Sequence, residues 1–296
     1  MPYYSPLRYP GSKRRLAPFI SQLLEVNCLS NGPYVEPFAG GASLALELLF
    51  KQRVAEVYLN DLSRPIYAFW HTILNDTKNF CHRIVSTAIT MEEWRRQKAT
   101  FEAGVTNTDV PLSDLGFAAF FLNRTNRSGI LSGGVIGGHE QSGSWTLDIR
   151  FNKKDLIHRI QQISHFRDRI HVYNQDGISF IEQKLESLDK RAFIFFDPPY
   201  IDKGNGLYLN LYRIEDHKRL ERQIGLLEQP WIVTYDYQGA TRNQLYQNSK
   251  GMKFELSYSA QSRRKGMEAM FLSPNLKLPK ACLLNQSFPY LVSVSN

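Results

Sequence analysis

The run Ala192-Phe193-Ile194-Phe195-Phe196 is apolar at every position and is followed at once by Asp197-Pro198-Pro199-Tyr200. A strand with one wet face alternates polar and apolar residues, so a run without alternation predicts a strand buried on both faces. Such strands belong to parallel sheets covered by helices, and the rest of the chain fits that demand. Tyr34 to Phe38 reads as a strand followed by a helix over Ser43–Gln52. Val57 to Asp61 reads as a second strand, with a helix over about Arg64–Leu74. Ile170 to Tyr173 leads to Asp176 and a helix over Ile178–Leu185, and Trp231 to Tyr235 is another buried strand after a polar helix over Ile214–Glu228. This βαβα rhythm predicts an α/β fold, a doubly wound and mostly parallel sheet.

From about Asn75 to Arg169 the rhythm stops. Met91–Glu102 and Asp114–Asn123 read as helices, a glycine-rich loop runs from Ser128 to Gly143, and a helix follows over Asn152–His165. The chain therefore divides into 1–74 plus 170–296, carrying the sheet, and an inserted, mainly helical region, 75–169. Between Arg124 and Arg169 eight Lys or Arg face four acids, leaving +4, half the chain's net charge of +8. A basic insert on an α/β sheet suits a polyanion, most simply nucleic acid. Arg124, Arg127, Arg150, Lys153 and Lys154 are the candidate phosphate or base contacts, and Arg263-Arg264-Lys265 forms a second basic patch; the plainer alternative is a solvated basic face. His139, His158, His165 and Trp70 read as packing or surface residues.

Composition removes other classes. Hydrophobic residues at 43% and charged residues at 22% exclude global disorder. The longest nearly apolar stretch, Ala42 to Phe50, is broken by Glu47 and far too short for a bilayer, and the N-terminus carries no apolar signal segment. Three widely spaced cysteines and seven histidines form no metal-binding spacing, so no metal is expected. These features predict a soluble, cytoplasmic protein.

Ligands of open α/β sheets bind at the carboxyl ends of strands, where three acidic segments lie. In Asp197-Pro198-Pro199-Tyr200 two prolines make a stiff turn that aims a carboxylate, a carbonyl and an aromatic ring at one place. That set suits a planar substrate with an exocyclic amine; an ordinary proline turn is the alternative. In Glu36-Pro37-Phe38-Ala39-Gly40-Gly41 the glycines let a ligand approach the backbone and a helix N-terminus. The segment is neither a Walker A loop nor a GxGxxG fingerprint. Asn60-Asp61 places an acid where ribose hydroxyls are held, or simply at a helix N-terminus.

In this order the segments resemble the Dam-like, alpha-group DNA adenine N6-methyltransferases, over nearly the whole chain. Leu7-Arg8-Tyr9-Pro10-Gly11-Ser12-Lys13 is similar to the family's N-terminal cofactor motif, and Leu122-Asn123-Arg124-Thr125 to the start of its DNA-contacting insert. Tyr258-Ser259-Ala260 with Glu268 to Ser273 looks like the C-terminal hairpin of its sheet. The resemblance implies a Rossmann-like sheet that binds S-adenosyl-L-methionine through Tyr9, Lys13, Glu36, Pro37, Phe38, Gly40, Asp61, Asp176 and Asp197. It implies catalysis by Asp197, Pro198, Pro199 and Tyr200 on an adenine flipped out of double-stranded DNA, with direct methyl transfer to N6. Tyr9 stands where tryptophan is common, and Ser12 and Ala42 replace common glycines. The segment Asn126 to Gly134 departs from the target-reading hairpin of the GATC-methylating members, so no GATC specificity is carried over. A cytosine N4 or RNA adenine methyltransferase on the same fold, or a catalytically silent DNA-binding module, are the competing readings.

Overall fold

The computed structural model describes residues 3–9, 11–200, 212–242, 244–247, 249–258, 264–279 and 292–293. In chain order the elements begin with α1 (Ala17–Val26), β1 (Pro33–Glu36), α2 (Ser43–Phe50) and β2 (Glu56–Asn60). Five helices follow: α3 (Arg64–Asn75), α4 (Thr77–Ser86), α5 (Met91–Thr106), α6 (Leu112–Thr125) and α7 (Lys153–Ser164). Next come β3 (Ile170–Tyr173), α8 (Gly177–Lys184), β4 (Phe193–Phe196), α9 (Ile214–Gly225), β5 (Trp231–Asp236) and α10 (Tyr237–Arg242). The last strands are β6 (Lys250–Tyr258), β7 (Arg264–Leu272) and β8 (Val292–Ser293). Contacts gather these into two compact units, Lys13–Leu62 with Gln175–Asn296, and Met1–Ser12 with Ser63–Asn174.

In the first unit seven strands form one sheet in the order β2-β1-β4-β5-β7-β6-β8. The first four are parallel: Tyr34 lies opposite Val57 on one side and Phe193 on the other, and Ile194 lies opposite Trp231. All four β4 residues are buried, as an unalternated apolar strand must be. β7 runs antiparallel between β5 and β6, pairing Val233 with Phe271 and Met252 with Met270. The chain passes from β1 to β2 on one side of the sheet centre and from β4 to β5 on the other. The adjacent carboxyl ends of β1 and β4 are thus the topological switch point, where this class of sheet binds ligands.

The second unit packs around α6, which buries Leu115 through Asn123 without a break. A helix buried all round needs close neighbours, and Gly116 permits one: a Cβ there would stand 2.5 Å from the Ala68 carbonyl oxygen of α3. Phe69, Phe80, Phe117 and Phe120 interlock by ring edges and faces, and Phe151 packs on Phe120 and Phe121. The amino-terminal segment is held by Asn123, whose Oδ1 accepts from the Arg8 amide at 2.7 Å and whose Nδ2 donates to the Arg8 carbonyl at 2.8 Å. Gly129 lets that segment pass, since at φ +77° a Cβ would lie 2.3 Å from Arg8 O.

The strands and helices read from the sequence are present with end shifts of a few residues; the helix expected to reach Glu228 stops at Gly225. The contact-defined helical unit takes in α3, β3 and the first twelve residues in addition to 75–169. Three helices, α1, α4 and α10, were not foreseen. α4 buries only Phe80 and Ile84, too faint a stripe to read; α1 begins at Ala17, just past Lys13, Arg14 and Arg15; and α10 is only six residues long. Pro10, Ser259, Ala260 and Arg263 lie outside the described residues.

Candidate active site

β4 ends at Phe196, so Asp197 is the first residue past the sheet at the switch point. Its carboxylate is held from two sides. Oδ2 accepts from Lys13 Nζ at 2.8 Å, and Oδ1 accepts from Thr234 Oγ1 at 2.8 Å and, more distantly, from the Tyr200 hydroxyl at 3.4 Å. Thr234 is there because Phe196 pairs with Val233, which brings the next residue of β5 alongside Asp197. Lys13 is buried, also donates to the Tyr200 hydroxyl at 2.9 Å, and lies 3.6 Å from Glu268 Oε2. Glu268 is buried on β7 opposite Asp236. One buried ammonium thus faces two carboxylates and a phenol, so losing the ammonium would leave both carboxylates without a counter-charge.

At the end of β1, Glu36 Oε1 accepts from the Tyr34 hydroxyl and from the Ala45 amide of α2, both at 3.1 Å. Burial pushes the Glu36 carboxyl up to about 8; these two hydrogen bonds oppose the rise and nearby Asp197 adds to it. Asp61 Oδ2 accepts from the Gly40 amide at 2.8 Å and fixes the glycine turn, where Gly40 has φ +47° and Ala42 φ +45°. Asn60, fully buried, joins the ends of two strands to the segment before α8. Its Nδ2 donates to Pro37 O at 2.9 Å and Gln175 O at 3.0 Å, and its Oδ1 accepts from Gln175 N at 3.0 Å. Asp176 caps α8 through Oδ1, accepting from the Ile178 and Ser179 amides, while Oδ2 accepts from the Tyr212 hydroxyl at 2.6 Å. The Phe38 ring covers Gly177, where a Cβ would come within 2.4 Å of Cζ. Tyr212 meets Phe38 edge-on at 5.7 Å and also touches His217. His217 Nδ1 is 2.9 Å from the Tyr235 hydroxyl, and burial lowers its pKa to about 4.

A sequence model of the D12 class N6 adenine-specific DNA methyltransferases matches residues 9–262. The chain belongs to that family. It is therefore an adenine-methylating enzyme by family and takes a cofactor of the S-adenosylmethionine type. No curated protein matches it. Solved structures with a similar course of the chain include one from Pyrococcus horikoshii, provisionally named an RNA methyltransferase, at 8% identity and TM-score 0.44, covering 90% of this chain and 86% of that one. A provisionally named methyltransferase of Escherichia coli is 14% identical with TM-score 0.35, covering 90% and 89%. A protein of Legionella pneumophila is 12% identical with TM-score 0.34, covering 90% and 85%. These are distant likenesses.

The donor set suits the family's cofactor. Carboxyl groups at three successive turns, Glu36, Asp61 and Asp176, with the Phe38 ring and a glycine turn among them, match a nucleoside that offers hydroxyls and an amine. Among the described residues no group of three or more His, Cys, Asp or Glu could hold a metal ion, and no helix is long and apolar enough to cross a membrane.

Lys13, Glu36, Pro37, Phe38, Gly40, Asp61, Asp176, Asp197, Pro198, Pro199 and Tyr200 all belong to the sheet unit, whereas Tyr9 belongs to the helical unit. In the helical unit two of the five candidate cations are turned onto the protein's own carbonyls. Arg124 Nε donates to Arg150 O at 2.7 Å and Nη1 to Pro6 O at 3.4 Å, and burial, then Arg8 and Arg159, lower its pKa. Lys153 Nζ donates to Val85 O at 2.8 Å and Thr87 O at 2.7 Å. Arg127, Arg150 and Lys154 are exposed. Thr234, Glu268, Asn60 and Tyr212 went unread as site residues. A lone threonine in Trp231–Asp236 and a lone acid in Met267–Leu272 were the available signals, since each interrupts an otherwise apolar strand.

Proposed function

We propose that this enzyme transfers the methyl group of S-adenosyl-L-methionine to N6 of adenine in double-stranded DNA, after flipping the target base out of the helix. The observation that carries the reading is the Asp197 carboxylate at the switch point, fixed between Lys13 and Thr234 and beside Tyr200. The cofactor would be held by Lys13, Glu36, Pro37, Phe38, Gly40, Asp61 and Asp176. Bound there, it supplies an electrophilic methyl group.

The chain's own residues then have defined work. Flipping exposes the adenine amine at a cost of about a few kcal/mol, offset by new contacts to the base. The Tyr200 ring stacks on the base, while Asp197 and the Pro198 carbonyl accept the two N6 protons. Those hydrogen bonds draw the nitrogen out of conjugation and direct its lone pair outward. As the new carbon–nitrogen bond forms, one N6 proton must leave, and Asp197, whose side chain is 25% exposed, takes it and passes it to solvent. Pro199 stiffens the turn that holds these acceptors together. No covalent bond to the enzyme is needed; the acceleration comes from positioning and from fixed charges. The helical region 75–169 reads the target, with Arg127, Arg150 and Lys154 on phosphates or bases, and Arg124 and Lys153 shaping the surface that presents them.

Asp197→Ala tests this directly. Methyl transfer to unmethylated plasmid DNA should vanish while titration calorimetry still detects S-adenosylmethionine binding. An Asp197→Ala enzyme of undiminished activity sinks the mechanism.

A further inference from the structure

The helical unit displays an exposed indole. Trp145 is 59% exposed, whereas Trp70, Trp94 and Trp231 are 2%, 2% and 4% exposed. The loop presenting it is fixed. Gln141 spans it, donating through Nε2 to Ile136 O at 2.7 Å and accepting at Oε1 from the Leu147 amide at 2.9 Å. Gly137, at φ +83°, lets the Trp145 carbonyl pack so closely that a Cβ would stand 2.6 Å from it. On one side Ile136 N bonds to Thr125 O at the end of α6; on the other, Leu147 is buried and Phe151 enters the phenylalanine cluster. Exposure of this indole is therefore a property of an anchored loop.

Its surroundings select one kind of partner. The Arg150 guanidinium lies 5.9 Å from the centre of the Trp145 ring, and Ile149 beside it is 44% exposed. Arg127, also exposed, reaches to 4.0 Å from the Cβ position of Gly138 in the same loop. An indole with one guanidinium against its ring and a second arginine reaching the same loop matches a partner with π faces and phosphates together. A purely apolar protein surface would leave both arginines to be desolvated without a counter-charge.

We infer that Trp145 is a base-stacking residue of the nucleic-acid interface, with Arg150 and Arg127 on the adjoining phosphates. This rests on the DNA-methylating reading above and adds to it a residue that the charge pattern alone does not reveal. Stacking on an aromatic side chain tolerates any base, so Trp145 contributes affinity and keeps a nucleotide ordered outside the stack rather than reading sequence.

Because Trp145 is the one exposed indole of the four, acrylamide quenching of tryptophan fluorescence reports on it selectively. Unmethylated plasmid DNA added to the full chain should abolish the quenchable component. Trp145→Phe should lack that component yet bind the DNA with near-native affinity, because phenylalanine also stacks. Trp145→Ala should bind about tenfold more weakly at unchanged Tm, the size expected for one lost stacking contact. DNA that binds with native affinity to Trp145→Ala while Trp145 of the native enzyme stays open to acrylamide overturns the inference and leaves the DNA reading intact. Absence of DNA binding by both proteins overturns the DNA reading itself. Protection of Trp145 that rises with protein concentration in the absence of DNA also overturns the inference, assigning the patch to self-association.

Discussion

Replacing Thr234 by valine removes one hydroxyl from the site and changes almost nothing else. The two side chains have nearly the same shape, Thr234 is fully buried, and its Oγ1 has two acceptors, Asp197 Oδ1 at 2.8 Å and Phe196 O at 3.4 Å. The carbonyl contact is long and its loss is small. The carboxylate contact is short and involves a charged acceptor, where a hydrogen bond contributes about 1.5–3 kcal/mol. Without it Oδ1 keeps only the 3.4 Å contact from Tyr200, while Oδ2 remains tied to Lys13, so the carboxylate can pivot about that single anchor. If the whole contribution serves to aim Asp197 at the amine, methyl transfer slows by about 10- to 150-fold. Water reaching Asp197, which is partly exposed, would restore part of the loss, so about tenfold is the expected value. The assay is single-turnover transfer of labelled methyl groups to unmethylated plasmid DNA, with the cofactor Kd and the Tm measured in parallel. The rate should fall with the Kd unchanged and the Tm moved by no more than a few degrees. An unchanged rate would show that the Thr234–Asp197 contact does not position the acid.

Two further outcomes follow from the cofactor side of the site. The Tyr212 hydroxyl occupies Oδ2 of Asp176 at 2.6 Å, a carboxylate proposed to help hold the cofactor, so Tyr212→Phe should tighten S-adenosylmethionine binding several-fold by calorimetry; weaker binding would make the phenol a supporting contact instead. Glu36, raised to about 8 from the ordinary 4.5, keeps a proton in the folded state that the unfolded chain releases, so its contribution to stability falls as pH rises between those values. His217, lowered to about 4 from 6.5, acts oppositely, its contribution falling as pH drops from 6.5 to 4. Above pH 6.5 Glu36 acts alone, so denaturant stability should decline by about 2 kcal/mol from pH 6.5 to 8, and Glu36→Gln should remove that slope. An equal decline in the variant would assign it to another group.

What the sequence revealed and what it withheld have physical causes. β4 was legible because burial on both faces forbids alternation, and the acids at strand ends were legible because a carboxylate ending an apolar run is rarely accidental. Asn60 was visible only as the neighbour of Asp61; that it ties Pro37 to Gln175 depends on two turns converging in space. Thr234 and Glu268 act through register, one residue past a β4–β5 pair and within a β5–β7 pair, which no local pattern encodes. Charge was legible but not its use: Arg124 and Arg150 count alike in a net charge, yet one serves backbone carbonyls and the other lies against an exposed indole. α4 was lost because two buried side chains in ten residues leave almost no periodic signal.

The measurement that bears most directly on the central claim is nucleoside analysis of unmethylated plasmid DNA after incubation with the enzyme and labelled S-adenosylmethionine. The account predicts label in N6-methyladenine and in no other nucleoside. Label in N4-methylcytosine would contradict the assignment of the base held by Asp197 and Tyr200, and transfer to RNA but not to DNA would contradict the proposed substrate.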